Sequence, residues 1–176
     1  MYPFLRLFKE MMVHRNGPAL PLWGTHVSYH VCWPWDIDPW RELNNGRTLT
    51  LYDLGRLPAA ARAGLVAVLR QKRWGMTMAG VSVRYRRRVR LFDKIEMRTR
   101  FVGWDARFLY VEQSMWKADE CTSHALYRVA VTDANGIVAP ARVLAAMGED
   151  TTPPEMPGWV TAWIAAEAER PWPPQR

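Results

Sequence analysis

The amino-acid sequence predicts an α+β fold in which an antiparallel sheet wraps around one long helix. A β-branched and aromatic run at residues 25–35 predicts a first strand, and the stretch 46–70 has apolar residues at helical spacing. Four further runs with strand character then follow one another along the chain. A helix and a meander that each have one apolar face bury those faces by packing together, so we expect the sheet to curve over the helix.

The composition is that of one globular domain with a basic charge balance. The 176 residues suffice for one hydrophobic core and are too few for two ordinary domains. Hydrophobic residues make up 49% and charged residues 23%, which excludes the disordered and fibrous classes. The net charge of +7 suits an anionic partner, which is a nucleic acid, a membrane surface or a phosphate-bearing molecule such as coenzyme A.

Residues 1–24 are expected to form an amphipathic helix and a linker. Within 2–14, one face of the helix carries five apolar side chains, Phe4, Leu5, Phe8, Met11 and Met12. We expect this face to pack on the body of the protein, and attachment to a membrane surface is the alternative. The segment is too charged and too short for a signal peptide or a membrane span, so we expect a cytoplasmic protein.

The sequence of the long helix has a clear N-cap signal and one proline that is unfavourable inside a helix. A turn-rich segment at 36–46 ends the first strand, and Asn44 or Asn45 is a suitable N-cap for the helix. Pro58 cannot lie in the interior of an unbroken helix, so we expect either a kink there or a second helix that has Pro58 in its first turn. The apolar stripe consists of Leu51, Leu54, Leu57, Ala61, Leu65 and Val68.

The strands after the helix alternate apolar and polar residues with period two. They are expected at about 81–89, 95–103, 108–116 and 123–132. Turns are expected at 103–106, 117–120 and 133–136, with a short return strand at 137–138. We therefore expect a central domain over 25–148 and a Pro-rich extension over 149–176 that contains one short helix.

Neither the cysteines nor the histidines indicate a metal site. Cys32 and Cys121 do not form a CxxC pair, so neither a zinc site nor a disulfide framework is indicated. His26 and His30 share one face of the first strand but have no carboxylate or cysteine partner at ligand spacing. We expect both histidines to be structural.

The segment between the first strand and the long helix carries the residues best suited to chemistry. It places Asp36, Asp38 and Glu42 just before a helix N-terminus, where unpaired N–H groups polarise a carbonyl oxygen. A carboxylate beside such amides can attack a thioester or deprotonate a water molecule. The alternative is that the aspartates end the strand and that Asn44 and Asn45 only cap the helix.

This segment resembles the D-x-D-x-x-G-H-x-N-N signature of hot-dog-fold thioesterases of the 4-hydroxybenzoyl-CoA thioesterase type. Over about 25–150 the chain is similar to the subgroup that includes thioesterase superfamily member six proteins. Further matching motifs lie at 53–56, 62–64, 84–90, 98–100, 103–107 and 108–112. The resemblance implies a hot-dog fold and hydrolysis of an acyl-CoA-type thioester to a carboxylic acid and a free thiol.

The resemblance also implies roles for individual residues. Asp38 takes the position of the catalytic aspartate, as nucleophile or general base, and the residues that would present oxyanion-binding N–H groups are Asn44, Asn45 and Gly46. The family's Gly-His pair is replaced by 41–42, which makes Glu42 a second acid–base candidate. Asp53 is a candidate for the acyl slot by family analogy, and pairing with Arg56 is the simpler interpretation.

A run of arginines is expected along one side of a strand. Arg84, Arg86, Arg88 and Arg90 alternate with apolar residues, and Arg87 points to the other side. Such a row suits the phosphates of coenzyme A, because guanidinium forks match phosphate. A solvated sheet face paired with Glu96 or Glu112 and a nucleic-acid patch are the alternatives.

We expect a homodimer or a dimer of dimers, because hot-dog proteins of this resemblance pair through sheet edges and share sites. The expected ligand is an acyl-CoA or a related thioester, with no metal, no separate cofactor, no nucleic acid and no membrane span. A non-catalytic acyl- or lipid-binding hot-dog protein is the main alternative, because the Gly-His pair is missing. A nucleic-acid binder that uses the arginine strand is the third hypothesis.

Overall fold

The computed structural model describes residues 2–174 of the chain. The helices are α1 (Phe4–His14), α2 (Asn45–Arg62), α3 (Leu65–Lys72), α4 (Pro140–Met147) and α5 (Gly158–Glu169). The strands are β1 (Thr25–Val31), β2 (Gly75–Tyr85), β3 (Lys94–Trp104), β4 (Leu109–Lys117), β5 (Glu120–Asp133) and β6 (Gly136–Val138). One 3₁₀ turn at Pro34–Asp36 lies between β1 and α2.

The strands form one antiparallel sheet in the order β1-β3-β4-β5-β2, and β6 pairs with the end of β5. The strands β1 and β2 lie at the two edges of this path. Alternate residues of β5 face opposite sides, so Tyr127 joins the core with Leu51 and Leu54 of α2, whereas Leu126 packs with Val160 of α5. The sheet therefore lies between α2 and α5, and the predicted α+β arrangement around a long helix is confirmed.

The long helical region is broken at Gly64 and not at Pro58. Helix α2 continues through Pro58, which is buried, and ends at Arg62. Gly64 has φ +83°, a left-handed conformation that glycine adopts without strain and that separates α2 from α3. The predicted start of a second helix at Pro58 is wrong, because α2 runs through this residue and burial of the helix face outweighs the loss of one backbone donor. The alternative, a kink at Pro58, stays a prediction.

Two strand ends differ from the prediction. Strand β1 stops at Val31 instead of residue 35, because Pro34 lacks the N–H that a sheet ladder needs. Strand β2 stops at Tyr85, and the N–H groups of Arg86 and Arg87 both donate to the carbonyl of Thr122 as the chain leaves the sheet. The predicted row of arginines on one side of a strand is therefore wrong, because 86–90 is a loop. Helix α4 was not predicted.

Helix α1 packs through the face opposite to the one predicted. Arg6, Glu10 and His14, spaced by four, point toward the body, and Glu10 is buried. The side chains of Phe4, Leu5, Phe8 and Met12 are exposed by 70%, 87%, 66% and 47%. The prediction that this apolar face packs inward is wrong, because the buried carboxylate of Asp36 requires a cation and Arg6 supplies it.

Within residues 2–174, no helix combines the length and the apolar run needed to cross a bilayer.

Candidate active site

A cleft of about 570 Å³ opens at the N-terminal end of α2. Its walls come from the loop before α2, from the first turn of α2, and from the loop that follows β2. The lining residues include four that the sequence predicted as site residues on the loop and helix, Asp38, Glu42, Asn44 and Asn45. Sequence reasoning missed three others, Thr48, Tyr85 and Ser123, because no local pattern distinguishes them from ordinary helix and strand residues.

The loop that carries Asp38 is held by the buried carboxylate of Asp36. Its Oδ1 accepts from the Arg47 guanidinium at 2.7 Å and 3.1 Å, and its Oδ2 accepts from Arg6 at 2.7 Å and from the Trp33 N–H at 3.1 Å. The carbonyl of Asp36 accepts the Asn44 N–H at 2.9 Å. Asp36, the first aspartate of the motif, is therefore structural and has no solvent exposure.

Asp38 is half-buried, and among the described residues one of its two carboxylate oxygens has no hydrogen-bond donor. Its Oδ1 accepts the backbone N–H of Trp40 at 2.9 Å and that of Glu42 at 3.4 Å. In the described part of the chain no donor lies within hydrogen-bonding distance of Oδ2. The turn thus orients one oxygen and leaves the other available to a substrate or a water molecule.

The first turn of α2 keeps one free amide. Asn44 is the N-cap, one of the two residues predicted for this position, and its Oδ1 accepts the Arg47 N–H at 3.1 Å. The Asn45 side chain accepts the Gly46 N–H at 2.7 Å. The N–H of Asn45 has no acceptor among residues 2–174, so it is the donor in this turn that can receive an oxyanion.

The arginines after β2 are divided between the cleft and other surfaces. Arg86 and Arg88 line the cleft, and Arg88 Nε lies 2.9 Å from Glu42 Oε2. Arg86 has no ion pair within the described residues. Arg84 lies on β2 and borders a separate depression beside His124 and Trp159. Two of the three arginines expected at coenzyme A phosphates are therefore at the cleft.

Asp53 lies outside the cleft in a buried polar network. It forms an ion pair with Arg56, which also donates to Gln113 Oε1 at 2.7 Å and stacks over the Tyr127 ring at 4.0 Å. Burial and the nearby Asp53 raise the pKa of the Tyr2 hydroxyl to about 12. The simpler interpretation, pairing with Arg56, is the one that the structure shows.

A serine, a histidine and a glutamate meet where α1 packs on β1. Ser28 Oγ lies 2.9 Å from His30 Nε2, and His30 Nδ1 lies 3.9 Å from Glu10 Oε1. Ser28 is 1% exposed, so no substrate reaches its hydroxyl. Burial, together with Arg6 and Lys9, lowers the pKa of His30 to about 3 and keeps the ring neutral. This cluster anchors α1 and is not a second catalytic site.

A curled antiparallel sheet around one helix, with a polar cleft at the helix N-terminus, defines a hot-dog protein of the thioesterase type. The model of the thioesterase-like superfamily matches residues 32–164, and the chain belongs to that superfamily.

Two curated relatives from different animals carry the same name. The chain is 29% identical over 145 residues to Protein THEM6 of Drosophila melanogaster, which covers 81% of this chain and 73% of that protein. It is 40% identical over 80 residues to Protein THEM6 of Xenopus laevis, covering 46% of this chain and 39% of that protein. The match with the frog protein therefore spans well under half of that relative.

Solved structures share the fold at low sequence identity. A 1,4-dihydroxy-2-naphthoyl-CoA thioesterase from Synechocystis aligns with a TM-score of 0.60 at 8% identity, over 70% of this chain and 95% of the other. A DHNA-CoA thioesterase from Staphylococcus aureus aligns with a TM-score of 0.59 at 12% identity, over 82% and 91%. At these identities the likeness establishes the hot-dog fold.

Proposed function

We propose that the cleft hydrolyses an acyl-CoA-type thioester to a carboxylic acid and a free thiol. The observation that carries the proposal is that Asp38, with one unoccupied carboxylate oxygen, and the free N–H of Asn45 line the same cleft. A carboxylate and an oxyanion donor are the two groups that thioester hydrolysis requires. Membership of the thioesterase-like superfamily supports the same reaction.

In the general-base route, Asp38 removes a proton from water as the water oxygen bonds to the thioester carbonyl carbon. The carbonyl oxygen gains negative charge and accepts the Asn45 N–H, at the positive end of the α2 dipole. Collapse of this intermediate breaks the C–S bond, and the departing thiolate takes the proton from Asp38. The products are the acid and the thiol, and Asp38 returns to its ionised form.

In the nucleophilic route, an oxygen of Asp38 bonds to the carbonyl carbon and expels the thiolate, which forms a mixed anhydride. Water then hydrolyses the anhydride and restores the carboxylate. The two routes differ in the fate of the water oxygen. A single turnover in ¹⁸O-labelled water places the label in Asp38 or in the acid product by the nucleophilic route, and only in the acid product by the general-base route.

We infer that the arginines at the mouth of the cleft hold the phosphates of coenzyme A. Arg86 is free of ion pairs among the described residues and lines the cleft. Arg88 forms an ion pair with Glu42, which orients the Arg88 guanidinium, and the other carboxylate oxygen of Glu42 remains the second acid–base candidate. Guanidinium groups suit phosphate because their planar N–H fork binds two oxygens at once.

The direct test is free-thiol release from a series of acyl-CoA thioesters of increasing chain length. Asp38→Asn should lower kcat by about a hundredfold or more, because the amide can neither attack nor take a proton. Asp150→Asn, on an exposed loop, is the matched control and should keep full activity. Thiol release that is unchanged in Asp38→Asn would remove this residue from the mechanism.

A non-catalytic acyl-binding protein is the second candidate, and the Glu42–Arg88 ion pair favours it. That pair occupies the position where the resembled family has histidine, and it neutralises a carboxylate beside Asp38. Calorimetric binding of a thioester without any release of thiol would support this candidate. It would contradict hydrolysis.

We further propose that the protein assembles as a homodimer or a dimer of dimers through a sheet edge. Strands β1 and β2 each lie at an edge of the sheet, where backbone groups are available to a second copy. Light scattering coupled to size-exclusion chromatography should give a mass of two or four chains. A monomer at all concentrations would contradict the proposal.

A further inference from the structure

The outer face of α1 is a continuous apolar surface. Phe4, Phe8 and Met12 recur every four residues and Leu5 lies beside them, so the four side chains form one stripe along the helix. All four are exposed, as is the neighbouring Val13. A stripe of this kind marks a binding surface more often than an isolated exposed side chain does.

The inner face of α1 accounts for the outward direction of the apolar stripe. Arg6 donates to Asp36 at 2.7 Å and to the Val31 carbonyl at 3.0 Å, and Glu10 lies against His14 and His30. Turning the helix over would expose these groups and leave the buried Asp36 without Arg6. The polar contacts therefore hold the apolar stripe toward the outside.

An aromatic groove of about 630 Å³ adjoins α1 on the side of β1. Its walls include Tyr29, Trp33 and Trp35, all exposed, together with Lys9 of α1 and Lys94 of β3. The Trp33 and Trp35 rings stack with centroids 5.5 Å apart. Tryptophan and tyrosine at the margin of an apolar surface are typical of the boundary between lipid and water.

Positive charge surrounds the stripe and the groove. Lys9 is 68% exposed at its side chain, although it also lies 3.2 Å from Glu10, and Arg15 follows α1 at an exposed position. Lys94 is exposed at the far wall of the groove. The whole chain has a net charge of +7. This charge complements an anionic lipid surface, which attracts basic residues near an amphipathic helix.

We propose that α1 and the aromatic groove form a peripheral docking surface for an anionic phospholipid bilayer. The helix lies along the bilayer surface with Phe4, Leu5, Phe8 and Met12 among the acyl chains. Trp33 and Trp35 lie at headgroup depth, and the basic residues contact lipid phosphates or carboxylates. Attachment is reversible, because one short helix buries little apolar area. This proposal goes beyond the proposed hydrolysis and does not depend on it.

The test is flotation of the full chain with vesicles of phosphatidylcholine, with and without phosphatidylserine. The protein should float with the vesicles that contain phosphatidylserine and should be released by high salt. The double variant Phe4→Ser, Phe8→Ser should lose binding by about tenfold for each phenyl ring removed. Ile137→Ser, an exposed apolar residue on β6, is the matched control and should bind as the parent does.

Two further readouts separate a loss of vesicle binding from a loss of folding or of activity. Thermal unfolding and thiol release from a soluble thioester should be unchanged in the double variant, because both phenylalanines are exposed and lie outside the cleft. Absence of flotation in the parent, or equal flotation of the double variant, would overturn the proposal. Loss of a self-associated species on ultracentrifugation of the double variant, without vesicle binding by the parent, would instead assign the stripe to a second copy of the chain.

Discussion

Arg6 on α1 donates a 2.7 Å hydrogen bond to Asp36, a carboxylate with no solvent exposure. This ion pair ties the N-terminal helix to the loop that carries Asp38, two residues further along the chain. Asp36 also binds Arg47 in the first turn of α2. One buried carboxylate therefore joins α1, the candidate catalytic loop and the start of the central helix.

Arg6→Ala should lower the free energy of unfolding by about 2 kcal/mol, because it removes one of two cations from a buried carboxylate. Chemical denaturation measures this change, and hydrogen exchange should show faster exchange of the α1 amides. Arg15→Ala, on an exposed residue just after the same helix, should change stability by less than about 0.5 kcal/mol. Equal stability of Arg6→Ala and the parent would contradict the anchoring role.

Asn44→Ala should cost about 1 kcal/mol of unfolding free energy, because it removes the side chain that caps the Arg47 N–H. Asn45→Ala is the neighbouring comparison, since its exposed side chain bonds only the adjacent Gly46 N–H. We expect that variant to lose less than about 0.5 kcal/mol. Urea denaturation of the two variants measures the difference, and a larger loss in Asn45→Ala would reverse the assignment of the cap.

Stability should fall as the pH is lowered from about 6.5, because two buried histidines stay neutral in the native state. Burial lowers the pKa of His26 to about 4, with neighbouring His14 and Arg62 acting in the same direction. Burial lowers the pKa of His30 to about 3. The unfolded chain takes up protons near pH 6.5 and the native chain does not, so protons favour unfolding over this window.

Below pH 6.5, each histidine should lower the free energy of unfolding by about 1 kcal/mol for each unit that the pH falls. This contribution should end where the pH reaches the pKa of that histidine in the native state. Denaturation at several pH values between 7.5 and 4.5 measures the total slope. His30→Gln should reduce that slope by the share of one histidine, whatever its effect on stability at neutral pH. A slope that is the same in parent and variant would show that His30 is not buried in its neutral form.

Arg86→Ala should raise KM for an acyl-CoA by about tenfold with little change in kcat, because a phosphate contact is present in ground and transition states alike. The KM for an acyl thioester of N-acetylcysteamine, which has no phosphate, should be unchanged. Arg84→Ala is the matched control, because Arg84 borders a different depression. A larger rise in KM for Arg84→Ala would place coenzyme A outside the cleft.

The sequence alone determined the order of the long helix and the main strands, an asparagine N-cap at residue 44 or 45 and the loop that carries Asp38. These features depend on neighbours along the chain, through the period of apolar residues and the preference of asparagine for a helix start. The same local patterns, together with the motif resemblance, were enough to predict the hot-dog fold. That prediction is confirmed by the family match.

Only the tertiary structure decided which groups meet. The inward face of α1 depends on Asp36, which lies 30 residues away from Arg6 in sequence. The separation of Arg84 from Arg86 depends on β2 ending where Thr122 accepts the next two amides. Asp53 on α2 pairs with Arg56, which donates to Gln113 on strand β4. Buried charges are stable only beside partners from distant segments, so periodicity cannot predict them.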